Sequence, residues 1–135
     1  MKILDDLSSL AIKARESSYS PYSGVRVGAA LLAKSGKIYT GCNIENAAFS
    51  PTVCAERVAF FKAISEGEKE FTAIAVAGGA GELPDGEFPP CGVCRQVMAE
   101  FCDPNFKVCL VKNETEYTTL TLRDLLPHGF GKSNI

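Results

Sequence analysis

Between residues 3 and 18 apolar side chains recur at helical spacing: Ile3, Leu7, Leu10, Ala11 and Ala14, with Asp5, Asp6, Lys13 and Arg15 among the polar positions. That periodicity predicts an amphipathic helix, which SPYSG at 20–24 stops. From Val25 the pattern changes to short alternation running into Leu31 and Leu32. This predicts a strand, and a turn at KSG followed by a second strand from Lys37 to about Cys42 completes a hairpin.

NIENAAFSPT, residues 43–52, is polar and irregular. Pro51 biases Ser50 away from helical geometry, and Thr52 is placed to cap a helix over 53–66 that Gly67 ends. The apolar positions of that helix, including Val58, Phe61 and Ile64, cover a broad face suited to packing on a sheet. FTAIAVAGG, 71–79, reads as a buried strand, and GAGELPDGEFPP, 79–90, as an ordered loop. A helix over Cys91–Cys102, with Val97, Met98 and Phe101 on its packed face, precedes a strand at Phe106–Val111. Tyr117–Leu120 predicts a last strand and Thr121–Leu126 a short helix. This order predicts a layered α/β domain with a mixed sheet and leaves strand order and register open.

The 135 residues are about one domain long, and 46% apolar composition fills an ordinary core, so a single domain over 1–135 is expected. The charge of −2 comes from interspersed groups of both signs. No cationic stripe suits a phosphate backbone, and the expected partner is a small ligand rather than nucleic acid. Asp5 and Asp6 interrupt any signal-like apolar run near the amino terminus, and no 18-residue apolar stretch suits a membrane span. A cytoplasmic protein is expected. Its six cysteines then point to metal ligation or burial rather than to disulfides.

The chemistry concentrates in CAE at 54–56 and PCGVC at 90–94. Cys91 and Cys94, three apart on a helix, can converge on one ion, with Cys54 brought in by the fold. Three thiolates leave one tetrahedral position of a zinc ion open, as in catalytic rather than structural sites. Both segments begin helices, whose positive ends favour thiolates. Glu56, in the first turn, is placed to move protons beside the open position. The Arg57 guanidinium is placed to hydrogen-bond a cysteine sulfur and withdraw some of the excess charge. Competing readings are a redox CxxC, simple burial, or a closed structural zinc site with Cys42, Cys102 or Cys109 as fourth ligand. Cys102 and Cys109 read as buried hydrophobes. His128, the only histidine, reads as a surface or packing residue.

SPYSGVRVGAALL at 20–32, GCNIENAAFSPTVCAER at 41–57 and PPCGVCRQVMAEFC at 89–102 together resemble the small bacterial-type cytidine deaminases of the cytidine and deoxycytidylate deaminase family. The likeness spans roughly residues 5–130, and the zinc deaminases carry a signature with a glutamate that is not a ligand. It implies a three-layer domain with a five-stranded mixed sheet flanked by helices, assembled as a homotetramer with shared active sites. It also implies zinc on Cys54, Cys91 and Cys94, Glu56 as proton shuttle, and cytidine and deoxycytidine as the free pyrimidine nucleosides deaminated. Asn43 and Glu45 match residues that hold the ribose hydroxyls, Arg57 and Gln96 match groups near the metal, and Phe130 matches an aromatic inserted into a neighbouring subunit's site. Val25 stands where the family often has an aromatic that encloses the base. Alternative functions are deamination of another aminated heterocycle and a non-catalytic zinc protein.

Overall fold

The computed structural model describes residues 2–135. Helix α1 spans Lys2–Ala14 and tightens into a 3-10 turn at Arg15–Ser17. Strands β1 (Arg26–Ala33) and β2 (Ile38–Cys42) follow, then α2 (Ala55–Ser65), β3 (Phe71–Gly79), α3 (Gly92–Phe101), β4 (Lys107–Val111), β5 (Tyr117–Thr121) and the single-turn α4 (Leu122–Leu125). The sheet order is β2-β1-β3-β4-β5, with β3 and β4 parallel and every other neighbouring pair antiparallel. The expected mixed five-stranded sheet flanked by helices is therefore present. Among the described residues no helix is long and apolar enough to cross a membrane.

Alternation along the strands assigns each helix to a face. Val27, Ala29, Leu31, Ile74, Val76, Val108 and Leu110 pack with Ala59 and Phe60 of α2 and Met98 of α3. The opposite set, Ala30, Ala73, Ala75, Ala77, Cys109 and Val111, meets Leu4, Leu7 and Ala11 of α1. Because both faces are covered, the inner strands read as continuous apolar runs rather than strict alternation. The α1 face is rich in alanine because this helix lies close: a Cβ on Gly28 would stand 2.1 Å from the Ala11 carbonyl oxygen. On the other face, a Cβ on Gly41 would stand 2.4 Å from the Ala55 carbonyl oxygen, so glycine is required for α2 to dock.

The buried stripe of α2 is Ala55, Ala59, Phe60 and Ala63, whereas Phe61 points outward and is half exposed. The broad-face reading that included Phe61 is corrected: the sheet takes three alanines and Phe60, since α2 begins against Gly41. Cys109 is fully buried, as expected, and Cys102 is half-buried with its thiol pushed up to about 12 by burial and then by Asp103.

Candidate functional site

Cys54 and Cys91 are not inside helices, as the predicted ranges had them, but are the N-cap residues of α2 and α3, in extended conformation at ψ 156° and 168°. An N-cap side chain turns toward the first-turn N–H groups, which leaves Sγ at the positive end of each helix. Neither cysteine makes a side-chain capping hydrogen bond, so both sulfurs are available elsewhere. Cys94, in the first turn of α3, is buried. Arg95 fixes this corner: its Nε donates to the Pro90 carbonyl at 2.8 Å and its Nη1 to the Leu125 carbonyl at 2.6 Å.

The sulfurs of Cys54, Cys91 and Cys94 converge within 4.8 Å of one another and are positioned to coordinate a metal ion. Cys91 Sγ lies 3.6 Å from both Cys54 Sγ and Cys94 Sγ, too far for a disulfide. Thiolates bound tetrahedrally to one zinc at about 2.3 Å stand roughly 3.8 Å apart, so the spacing fits such an ion. Among the described residues the cluster contains no fourth cysteine, carboxylate or histidine. The closed site with Cys42, Cys102 or Cys109 does not form.

The electrostatics also fit a cation. The Cys54 thiol is drawn down to about 5, chiefly by the hydrogen bond with Cys94, against burial and with help from Arg57 and Cys91. Cys94 is pushed up by that same hydrogen bond, by burial and by the charge of Glu56. Without metal, the Cys54–Cys94 pair thus gives up one proton readily and holds the second firmly. Ionising both at this separation calls for a positive centre between them. Arg57 Nη2 donates to Cys54 Sγ at 3.4 Å, and its buried Nε has no partner among the described residues. Burial works against the Arg57 charge, but Cys54 and Cys94 outweigh it and hold the guanidinium more firmly protonated than usual.

Beside the cluster lies a cavity of about 340 Å³, lined by Cys54, Glu56 and Cys91 together with Asn43, Glu45 and Ser23. Val25, Val27, Val53, Phe88 and Pro89 form its apolar walls. Because Cys54 precedes the helix, Glu56 can share its direction, and its carboxyl, 3% exposed, is pushed up to about 7 by burial, with the Cys54 charge adding to it.

Asn43 is held hard: Oδ1 accepts from the Val27 N–H at 2.9 Å and from Ser18 Oγ, and Nδ2 donates to the Val25 carbonyl at 2.9 Å. One amide N–H remains for a ligand. Glu45 accepts from the N–H groups of Tyr22 and Ser23 and from Ser23 Oγ, and these bonds to Ser23 lead in holding its carboxyl below the usual range. Gln96 and Phe130 are joined to each other, Nε2 donating to the Phe130 carbonyl at 2.8 Å. The Phe130 ring is exposed and lines a separate surface cavity beside α4. The wall residue that the sequence reading passed over is Phe88. Its signal was an aromatic immediately before the cysteine-bearing PPCGVC, inside a loop otherwise read only for its turns.

The profile of the cytidine and deoxycytidylate deaminase zinc-binding region matches residues 1–110. The cytidine deaminase of Sporosarcina psychrophila is 50% identical over 123 residues, 91% of this chain and 88% of that protein. That of Halalkalibacterium halodurans is 50% identical over 120 residues, 89% and 88% of the two chains. The crystal structure of cytidine deaminase from Burkholderia pseudomallei superposes with a TM-score of 0.84 at 43% identity, covering 93% of this chain and 97% of that one.

Proposed function

The chain belongs to the cytidine and deoxycytidylate deaminase family, and on that premise we propose that it converts cytidine and deoxycytidine to uridine and deoxyuridine with release of ammonia, in pyrimidine salvage. The observation that carries this reading is one cavity shared by the three-sulfur cluster, the buried Glu56 carboxyl and the polar pair Asn43 and Glu45. In it the reacting end of a nucleoside meets the cluster, and the sugar meets the pair.

Zinc held by Cys54, Cys91 and Cys94 would supply Lewis acidity that makes water a nucleophile at neutral pH. Glu56, its carboxyl lining the same cavity as Cys54 and Cys91, accepts a proton from the attacking water and delivers it to ring N3 as the new C–O bond forms at C4. A second transfer through the same carboxylate carries the proton of the new C4 hydroxyl to the exocyclic nitrogen, the C4–N bond breaks, and ammonia leaves with a carbonyl at C4. Arg57 moderates the charge of Cys54, while the remaining Asn43 N–H and the Glu45 carboxylate take the ribose hydroxyls as donor and acceptor.

On the same reading the protein works in the cytoplasm as a homotetramer with shared sites. Six free cysteines suit a reducing compartment, and the exposed Phe49, Phe61, Val93 and Phe130 suit association. Gln96, by holding the Phe130 carbonyl, would set the tail for a neighbouring site.

The test is incubation of zinc-loaded protein with cytidine, deoxycytidine, adenosine and guanine, following both ammonia and the deaminated product. Uridine and ammonia in equal amounts from cytidine are expected. Ammonia from a purine alone would replace the pyrimidine reading, and zinc binding with no ammonia from any of them would leave a non-catalytic zinc protein.

A further inference from the structure

The loop between β3 and α3 brings Phe88 into the cavity, where it is the only aromatic side chain among the described lining residues. The ring lies against bare backbone: a Cβ on Gly78 would come within 2.4–2.9 Å of three Phe88 ring atoms. The loop around it is pinned at both ends. Arg15, 1% exposed, donates to the carbonyls of Gly79 at 2.6 Å, Gly81 at 2.7 Å and Glu82 at 3.0 Å, and Arg26 adds a bond to Gly81 at 2.8 Å. Nearer Phe88, the Asp85 N–H donates to the Gly78 carbonyl and the Gly86 N–H to the Lys112 carbonyl, while Glu87 pairs with Lys112 at 3.8 Å and accepts from Thr118. The ring is therefore held in place before any ligand arrives.

We propose that Phe88, carried by this loop, is the flat apolar wall against which the pyrimidine ring packs, and that it determines base affinity in place of an aromatic at Val25. The proposal rests on the reading of the cavity as a pyrimidine nucleoside site. Valines 25, 27 and 53 and Pro89 supply the other apolar walls but no extended planar face, and a planar heterocycle gains most from one. Stacking on an aromatic side chain is sequence-tolerant and typically changes base affinity by about one order of magnitude. Phe88 touches the base and not the reacting C4, so it acts on binding rather than on proton transfer.

The test compares the wild type with Phe88→Ala, Phe88→Leu and Phe88→Tyr, each zinc-loaded and shown folded by thermal unfolding. The dissociation constant of the product uridine is measured by calorimetry, alongside KM and kcat for cytidine. Phe88→Ala is expected to weaken uridine and raise KM about tenfold with kcat within threefold. Phe88→Leu, which keeps the bulk without the ring, should lie between, and Phe88→Tyr should stay within twofold of wild type. If the wild type binds uridine and both Phe88→Ala and Phe88→Leu bind it within twofold as well, the proposal is overturned while the function stands. A kcat loss with unchanged uridine affinity overturns it too, and a wild type that binds no pyrimidine nucleoside overturns the cavity's assignment together with it.

Discussion

Arg15 donates through Nη2 to the Gly79 carbonyl at 2.6 Å, so the end of the first helical segment grips the end of the central strand 64 residues later. With Nε on the Arg26 carbonyl and bonds to Gly81 and Glu82, this guanidinium is satisfied almost wholly by backbone. Burial, then the neighbouring Arg26, pulls its pKa below the ordinary value, with Asp85 opposing.

Arg15→Met is expected to destabilise the protein by about 3 kcal/mol, because several carbonyls lose a charged donor at once. The loop they belong to should become a protease target between residues 80 and 88. Denaturant unfolding and timed digestion measure both, and a variant matching wild type in each would show the clamp to be idle.

Replacing Glu56 with glutamine should lower kcat about 10²–10⁴-fold while zinc content is retained. The same change has a signed effect on the metal-free chain. Since the folded carboxyl titrates near 7 rather than 4.5, the native state holds the proton more tightly, and the contribution of this group to stability is full below pH 4.5 and is lost as pH rises through 7. The loss is on the order of 3 kcal/mol. Metal-free Glu56→Gln should lack that decline, so the two denaturation curves converge in acid and diverge at neutral pH.

Cys91→Ala removes the sulfur that lies 3.6 Å from each of the other two. Zinc after dialysis should fall well below one per chain. In the wild type, occupancy should drop as pH is lowered, because protons compete for the same thiolates. Metal analysis across pH reads both effects.

Gly41→Ala would set a Cβ 2.4 Å from the Ala55 carbonyl oxygen and 2.7 Å from the Ala59 nitrogen, both backbone atoms of α2. The helix must retreat, carrying Cys54 and Glu56 with it. A destabilisation of about 1–3 kcal/mol is expected, with weaker zinc binding. Unaltered melting and metal affinity would mean that α2 has slack at this contact.

Periodicity located the four α-helices and five strands to within a few residues, though not the 3-10 turn at Lys132–Asn134, and CAE with PCGVC marked the sulfur cluster outright. Placing Cys54 and Cys91 within their helices missed that an N-cap faces out of the helical register, which is what lets Glu56 turn toward the same space. Arg15 looked like a solvent position on an amphipathic helix. Its burial depends on Gly79 and Glu82, contacts that no local pattern encodes. Phe88 was hidden for a similar reason, since the absence of a side chain at Gly78 decides where its ring lies. Gln96 and Phe130 were matched by resemblance, and within one chain they meet each other and not the cluster.

The sulfur cluster and Glu56 are set by the starts of two helices packed on the sheet, whereas Phe88 hangs from a loop tied down by Arg15 and Lys112. If Phe88 packs against the base as proposed, selection of the ring to be admitted is mechanically separate from the machinery that attacks it. A lengthened or shortened 80–90 segment amounts to an exchangeable panel, through which the enzyme's appetite for modified bases could be retuned with its proton chemistry left intact.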